Sequence, residues 1–211
     1  MNRIDQSKPF KPVNIAVLTV SDTRTEADDK SGATLVELIR GGGHRVAARR
    51  IVKDDTSGNR LAELIEAAGH KVAARTIVRD DAAAIVKQLR AWIADPNVDV
   101  VISTGGTGVT GRDVTPEAFE SVFEKKIDGF GELFRWISFQ KVGTSTIQSR
   151  ATGGVAGGTY LFALPGSPSA CRDGWDEILK WQLDNRFRPC NLVELMPRLQ
   201  EHLTGKSKAT A

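Results

Sequence analysis

The chain is poor in metal-binding and cross-linking side chains: two cysteines, Cys171 and Cys190, and three histidines among 211 residues. Two cysteines cannot make a disulfide framework or a four-ligand zinc site, and the histidines lack metal-ligand spacing. Reduced thiols in the cytoplasm are the expectation. Long apolar runs are missing as well. The early stretch "VNIAVLTV" is too short to span a membrane and has no basic segment or small-residue cleavage site beside it. It reads as a strand, in a cytoplasmic protein with no membrane partner. A basic stripe is also absent: the formal charge is +3, and much of it sits at the ends, in Lys8, Lys11, Lys206 and Lys208. That gives no footprint for nucleic acid.

What is present is a globular composition, 40% hydrophobic and 26% charged, in a length that suits one domain with its own core. Short apolar runs alternate with 3.6-residue patterns, as in buried parallel strands covered by helices. Strands are expected over 15–20, 46–52, 72–78, 98–103 and 159–164. Helices are expected over 33–40, 60–68, 82–94, 116–125, 130–139 and 168–183. The fold class is therefore α/β, a doubly wound, mostly parallel sheet with helices on both faces. A single domain is expected over 1–204, with a disordered tail over 205–211.

One feature is abnormal. "DDKSGATLVELIRGGGHRVAARRIVK" (28–53) is followed at once by "DDTSGNRLAELIEAAGHKVAARTIVR" (54–79), a repeat of period 26. Each copy reads as a cap, a helix and a strand, with Ser31 or Ser57 able to cap and Gly43 or Gly69 able to end the helix. Two copies are too few for a solenoid, so the chain carries one surplus helix-strand unit.

The stretch "VISTGGTGVTGRDVTPEAFESV" puts glycines 105, 106, 108 and 111 just past an apolar strand. Such glycines can simply turn the chain, or their N–H groups can line up on an anion. Thr115 and Pro116 read as cap and first residue of the next helix, whose start favours negative charge. It is neither a Walker A loop nor a dinucleotide fingerprint. The device recurs, however. "YLFALPGSPSACRDGW" runs from strand through Pro165 and Gly166 to Ser167 and Pro168, and two such strand ends suit a ligand with phosphate at more than one point.

Acids occupy the same strand ends: Asp22 after Ser21, Asp80 and Asp81 with Asp54 and Asp55 as repeat equivalents, and Asp113 in the glycine loop. A carboxylate beside phosphates needs a cation, so these acids suggest Mg2+. Asp54 and Asp80 could equally be helix caps. His44 and His70 read as linker residues, Cys171 as structural, and Trp92, Trp136, Trp175 and Trp181 as core or subunit contacts.

The motifs "TGGTGVTGRDVTPEA", "GFGE" at 129–132, "TSTIQSRA" at 144–151, "LPGSPSAC" and the opening "LTVSDTR…DDKSG" together resemble the MoaB/Mog family of molybdenum cofactor biosynthesis. The "RPCN" ending resembles the MoaB branch. The resemblance implies a molybdopterin-binding fold, a homotrimer or hexamer, and AMP transfer from Mg-ATP to the terminal phosphate of molybdopterin. It implies Asp80 and Asp113 as catalytic acids that place Mg2+. Together with the reading of the strand ends and glycine loop, the candidate substrate-binding residues are Ser21, Asp22, Thr104, Gly105, Gly106, Thr107, Gly108, Arg112, Thr115, Ser149, Arg150, Pro165, Gly166, Ser167 and Ser169. Ser149, Arg150 and the 166–169 loop would be pterin-side contacts, and Arg112 and Arg150 phosphate clamps. The glycines of "GFGE" would shape a helix entrance, with Glu132 left open. The same resemblance permits a pterin-binding protein without turnover, or an assembly partner whose site the duplication has spoiled.

The duplication raises the question of which copy serves the site. The link from strand 72–78 to helix 82–94 is short, and moving that strand outward by one place would add about 4.8 Å to the crossing. The second copy's strand is thus expected beside 15–20, with Asp80 the working acid and strand 46–52 at the sheet edge. Right-handed crossovers would then put helix 33–40 on the usual face and helix 60–68 on the opposite one. Extrusion of one copy, or its exchange between subunits, is the rival arrangement.

Overall fold

The computed structural model describes residues 3–20 and 56–202. The first repeat copy, with its expected helix 33–40 and strand 46–52, lies outside the described residues, as do Ser21, Asp22, Asp54 and the tail 205–211. In chain order the elements are β1 (Asn14–Val20), α1 (Thr56–Ala67), β2 (Lys71–Val78), α2 (Ala82–Ile93), β3 (Val100–Thr104), α3 (Thr115–Glu120), β4 (Lys125–Lys126) and α4 (Asp128–Val142). Then come β5 (Thr152–Ala156), β6 (Thr159–Leu164) and α5 (Pro168–Gly174), which runs on through a π-helical stretch, Trp175–Leu179, into α6 (Lys180–Gln182).

These strands form one sheet in the order β2-β1-β3-β6-β5-β4. β1, β2, β3 and β6 run parallel, while β5 is antiparallel to both of its neighbours. Every residue of β3 and β6 is buried, because helices cover both faces of the sheet. Alternation along β1 divides the core. Ile15 and Val17 face Leu61, Leu64 and Ile65 of α1 together with Phe134 and Trp175; Ala16 and Leu18 face Ile85 and Leu89 of α2 together with Phe119. Each buried Val, Leu or Ile among them contributes about 1.5–3 kcal/mol.

β2, the second copy's strand, pairs with β1 from Asn14↔Lys71 to Val20↔Val78. The helix of that copy corrects the expectation. Helix 60–68 does not lie on the face opposite the usual one: α1 fills the place of a direct right-handed crossing from β1 out to β2. The return crossing from β2 past β1 to β3 reverses direction and puts α2 on the other face. The helix and the strand between β1 and α2 that the described sheet uses both come from the second copy.

Three further corrections concern other parts of the chain. The expected helix 116–125 stops at Glu120, since Glu124 donates its N–H to Val155 and Lys125 and Lys126 pair with β5. Strand β5, "TGGVA", is absent from the expected set, because two of its five residues are glycine. They are required there: a Cβ on Gly154 would stand 2.5 Å from the Phe123 ring, and one on Gly153 2.8 Å from Phe162. Finally, His70 is a core residue and not a linker. It is 1% exposed, its Nδ1 accepts the Val13 N–H at 3.3 Å, and burial lowers its pKa to about 4.

Glu66 of α1 is also buried, and desolvation raises its pKa from 4.5 to about 7. A carboxyl whose folded pKa is raised contributes stability that is full below about 4.5 and lost as pH climbs through 7. Glu66→Gln is therefore expected to gain about 1–2 kcal/mol over the wild type at pH 8 and little at pH 4.5. Urea unfolding of both proteins at the two pH values measures the difference; an equal difference at both would show that Glu66 does not titrate in this range.

Candidate functional site at the carboxyl edge of the sheet

The parallel strands end level, with Val20 opposite Val78, Thr19 opposite Thr104, and Thr104 opposite Leu164. The loops leaving β2, β3 and β6 therefore emerge at one edge, where open α/β sheets bind ligands. The glycine loop and the Pro–Gly turn touch. Gly105 donates its N–H to Leu164 O at 3.1 Å, and Thr104 Oγ1 donates to Pro165 O at 3.1 Å. A Cβ on Gly166 would lie 3.0 Å from Gly105 Cα. The Gly105 N–H is thus spent inside the protein, which corrects its expected use as an anion donor. Ser57, expected as a cap, instead donates its hydroxyl to Gly166 O at 2.9 Å, so α1 braces the turn. Ser167 caps α5 as expected, accepting the Ala170 N–H at 3.1 Å, and its Oγ lies 3.2 Å from Ser169 Oγ. Buried Cys171 is structural, with Sγ 3.2 Å from Thr104 Oγ1.

Gly106 shows why the loop needs glycine. Its φ is +63°, and a Cβ there would fall 2.3 Å from Thr115 Oγ1 and 2.9 Å from Asp80 Oδ1. Asp80 therefore reaches from the end of β2 to the glycine loop. The cap alternative falls on its neighbour: Asp81 accepts the Ala84 N–H at 2.7 Å and starts α2. Thr115 is not the cap of α3. Val114 holds that position without a side-chain bond, and the Thr115 hydroxyl is buried beside Gly106 with no hydrogen-bond partner among the described residues. Two oxygen-bearing side chains, Asp80 and Thr115, thus converge on one glycine.

Asp113 stands further along the loop, its Oδ2 2.8 Å from where a Gly108 Cβ would be. That oxygen accepts the Thr110 hydroxyl at 2.5 Å and the Thr110 N–H at 2.9 Å. The Thr110 hydroxyl above all holds the Asp113 carboxyl below its ordinary pKa, so it is ionised at neutral pH. Arg112 is exposed on the same loop.

Arg150 is not a free clamp. Its Nε donates to Gly108 O at 2.7 Å, its Nη2 to Asp113 O at 2.5 Å, and its Nη1 to the Glu117 carboxylate. Burial acts to raise the Glu117 pKa, but the Arg150 bond holds it below the ordinary value. Ser149 and Arg150 border a cavity of about 590 Å3 that Glu117, Lys126, Arg135 and Ile147 also line. The expected pterin-side set is thereby divided: Gly166 adjoins the Gly105 end of the loop, whereas Arg150 adjoins its Gly108–Asp113 end. Glu132 lines the same cavity. Glu117, Thr110 and the bracing role of Ser57 lie outside the expected site. An acid directly after Thr115 and Pro116, in the first turn of a helix, is the one available signal for Glu117.

Residues 54–185 match the family described as "Probable molybdopterin binding domain", a match that begins at the first residue of the second repeat copy. The chain is 44% identical over 185 residues to molybdenum cofactor biosynthesis protein B of Escherichia coli strain K12, covering 88% of this chain and 94% of that one. A crystal structure of a molybdenum cofactor biosynthesis protein B superposes with a TM-score of 0.71 at 35% identity, over 92% of this chain and 99% of the other. The tungsten cofactor synthesizing protein MoaB from Pyrococcus furiosus superposes with a TM-score of 0.57 at 31% identity, over 80% and 91% of the two chains. On the family match, the shared fold and this degree of identity, the chain belongs to the MoaB/Mog family of molybdopterin-binding domains of molybdenum cofactor biosynthesis.

Proposed function

We propose that the chain is a molybdopterin adenylyltransferase. A terminal phosphate oxygen of molybdopterin attacks the α-phosphorus of ATP, the bond to the bridging β-phosphate oxygen breaks, and pyrophosphate leaves. The observation that carries this reading is the approach of two carboxylates, Asp80 at Gly106 and Asp113 at Gly108, to the two ends of one short glycine segment. Transfers of this kind depend mainly on positioning and charge neutralisation. The loop N–H groups of Gly106 and Thr107 would hold phosphate oxygens, since those of Gly108 and Thr110 serve Asp113, and Arg112 would supply the nearby positive charge. Ser149 and the cavity beside it would receive the pterin.

The donor set fits Mg2+. Both side chains are hard oxygen donors, and they converge on one glycine segment from two elements. That suits an ion held by one or two carboxylates and by the substrate's own phosphates. Magnesium bound with the nucleotide would neutralise charge on those phosphates. A pterin-binding protein without turnover is the second reading, favoured by one fact: Asp113 already closes its own loop through Thr110. Mixing purified protein with Mg-ATP and molybdopterin separates these. Adenylyl-molybdopterin formed at an enzyme-like rate supports the first reading, tight pterin binding without product the second, and neither result leaves an assembly role.

The subunit contact expected of a homotrimer or hexamer has a candidate. Leu133, Trp136, Phe139 and Val142 recur every third residue along α4 and stand exposed, Trp136 at 64%. The adjoining groove of about 650 Å3 is lined by Trp136, Trp181 and Phe187. Trp136→Glu is expected to lower the mass seen by light scattering towards that of a monomer, and an unchanged mass would move the contact elsewhere. No helix among the described residues is long and apolar enough to cross a membrane, and a cytoplasmic location agrees with a nucleotide substrate and free thiols.

A further inference from the structure

We propose that Arg150 is a positioning residue: its guanidinium pins both ends of the exposed excursion 109–112, so that the Asp113 carboxylate and the loop N–H groups are held towards the phosphates. The proposal rests on the phosphate-site reading above.

The geometry assigns each edge of the group. Gly108 closes the near side of the excursion and Asp113 the far side, and their carbonyls accept from Nε and Nη2 of the same planar fork. Nη1 is turned to Glu117 of α3, which balances the charge and fixes the plane of the guanidinium. The Arg150 backbone N–H donates to Thr107 O at 3.1 Å, so the main chain of this residue is tied to the loop as well. Besides Arg150, the Gly108 N–H acts on the Asp113 carboxylate and so joins the two ends within the loop; the Arg150 side chain is what ties them to another part of the fold. Residues 109–112 are exposed, and a Cβ on Gly111 would meet nothing within 4 Å. The bonds between Thr110 and Asp113 are internal to the turn, so they shape it without anchoring it. An arginine can span two carbonyls with one rigid fork; a lysine, as a point charge on a flexible stem, can satisfy one at a time. Of the two expected clamps, Arg112 is then the one left to meet phosphate, and Arg150 acts on the chemistry through Asp113.

Two measurements on the full chain test this, with Arg150→Ala and Arg150→Lys beside the wild type. The first is amide hydrogen exchange without ligand. Exchange at 108–113 is expected to quicken by about tenfold or more in Arg150→Ala, with little recovery in Arg150→Lys, while β3 and β6 keep their protection. The second is adenylyl transfer, in which kcat is expected to fall about tenfold or more while KM for Mg-ATP moves less than about threefold. In an Asp113→Asn background the further loss should vanish, because the two residues act in series. Unchanged exchange at 108–113 overturns the proposal. So does a loss that resides wholly in KM and adds to that of Asp113→Asn, the behaviour of an arginine that touches phosphate itself. If Arg150→Ala does not fold, Arg150→Lys carries both measurements. A wild type that makes no adenylyl-molybdopterin defeats the transferase reading, and the exchange result still decides whether Arg150 holds the loop.

Discussion

Asp80→Asn is expected to cut adenylyl transfer by at least about tenfold, the scale of about 1.4 kcal/mol of lost transition-state stabilisation, whereas Asp54→Asn is expected to leave it unchanged. The argument is positional. Asp80 lies just beyond the strand that pairs with β1, its Oδ1 lies against Gly106, and its neighbour Asp81 performs the capping that could otherwise have occupied it. Asp113→Asn should fall by a similar factor with pterin binding little altered, since a carboxylate that places a metal acts on the ATP side. Steady-state rates and pterin titrations on the three variants decide the matter. Loss in Asp54→Asn with retention in Asp80→Asn would mean that the first copy, and not the second, furnishes the acid in solution.

Gly105→Ala is expected to destabilise the fold by about 3 kcal/mol or more, into the range reserved for named structural faults. Its φ of +100° is one that L side chains rarely adopt, and an added Cβ would stand 2.2 Å from Val20 O. Neither partner can yield. Val20 is the last residue of a buried central strand, and Gly105 is fixed by its N–H bond to Leu164. Gly111→Ala is the control, because nothing lies within 4 Å of the new methyl; it should shift stability by no more than about 0.5 kcal/mol. Chemical denaturation of both variants measures this. Equal stabilities would show that the β1–β3 edge is loose enough to admit a methyl group.

Both expectations lean on parts of the molecule that the sequence exposes unequally. The four parallel strands are legible because strands buried on both faces are short unbroken apolar runs, and the glycine loop and Pro–Gly turn because backbone freedom demands particular residues. Strand β5 is illegible for the converse reason. Gly153 and Gly154 carry no side chains, and what makes the segment a strand is the Phe123 and Phe162 rings supplied from elsewhere. The face taken by α1 depends on which strand its chain leaves and which it enters, and in a duplicated segment periodicity cannot tell one copy from the other. At the site, residue type points to Asp80, Asp113 and Arg150. It cannot show that the Gly105 N–H is consumed by Leu164, or that Arg150 is turned onto two carbonyls. Those are facts about direction, which only the packed chain fixes.

The bond from Ser57 to Gly166 has a consequence for how the gene can change. One helix-strand unit delivers to the sheet edge both the hydroxyl that braces the Pro–Gly turn and, just beyond its strand, the acid beside Gly106. Selection for the site is therefore concentrated on 56–81, where a single substitution can disturb turn, strand and acid together. The stretch 28–53 repeats the same amino-acid pattern, and the contacts to Gly166 and Gly106 are made from the second copy. Across lineages, substitutions should accumulate faster in 28–53 than in its twin, and an allele that deletes one period should remain functional, so the duplication is as easily lost as it was gained.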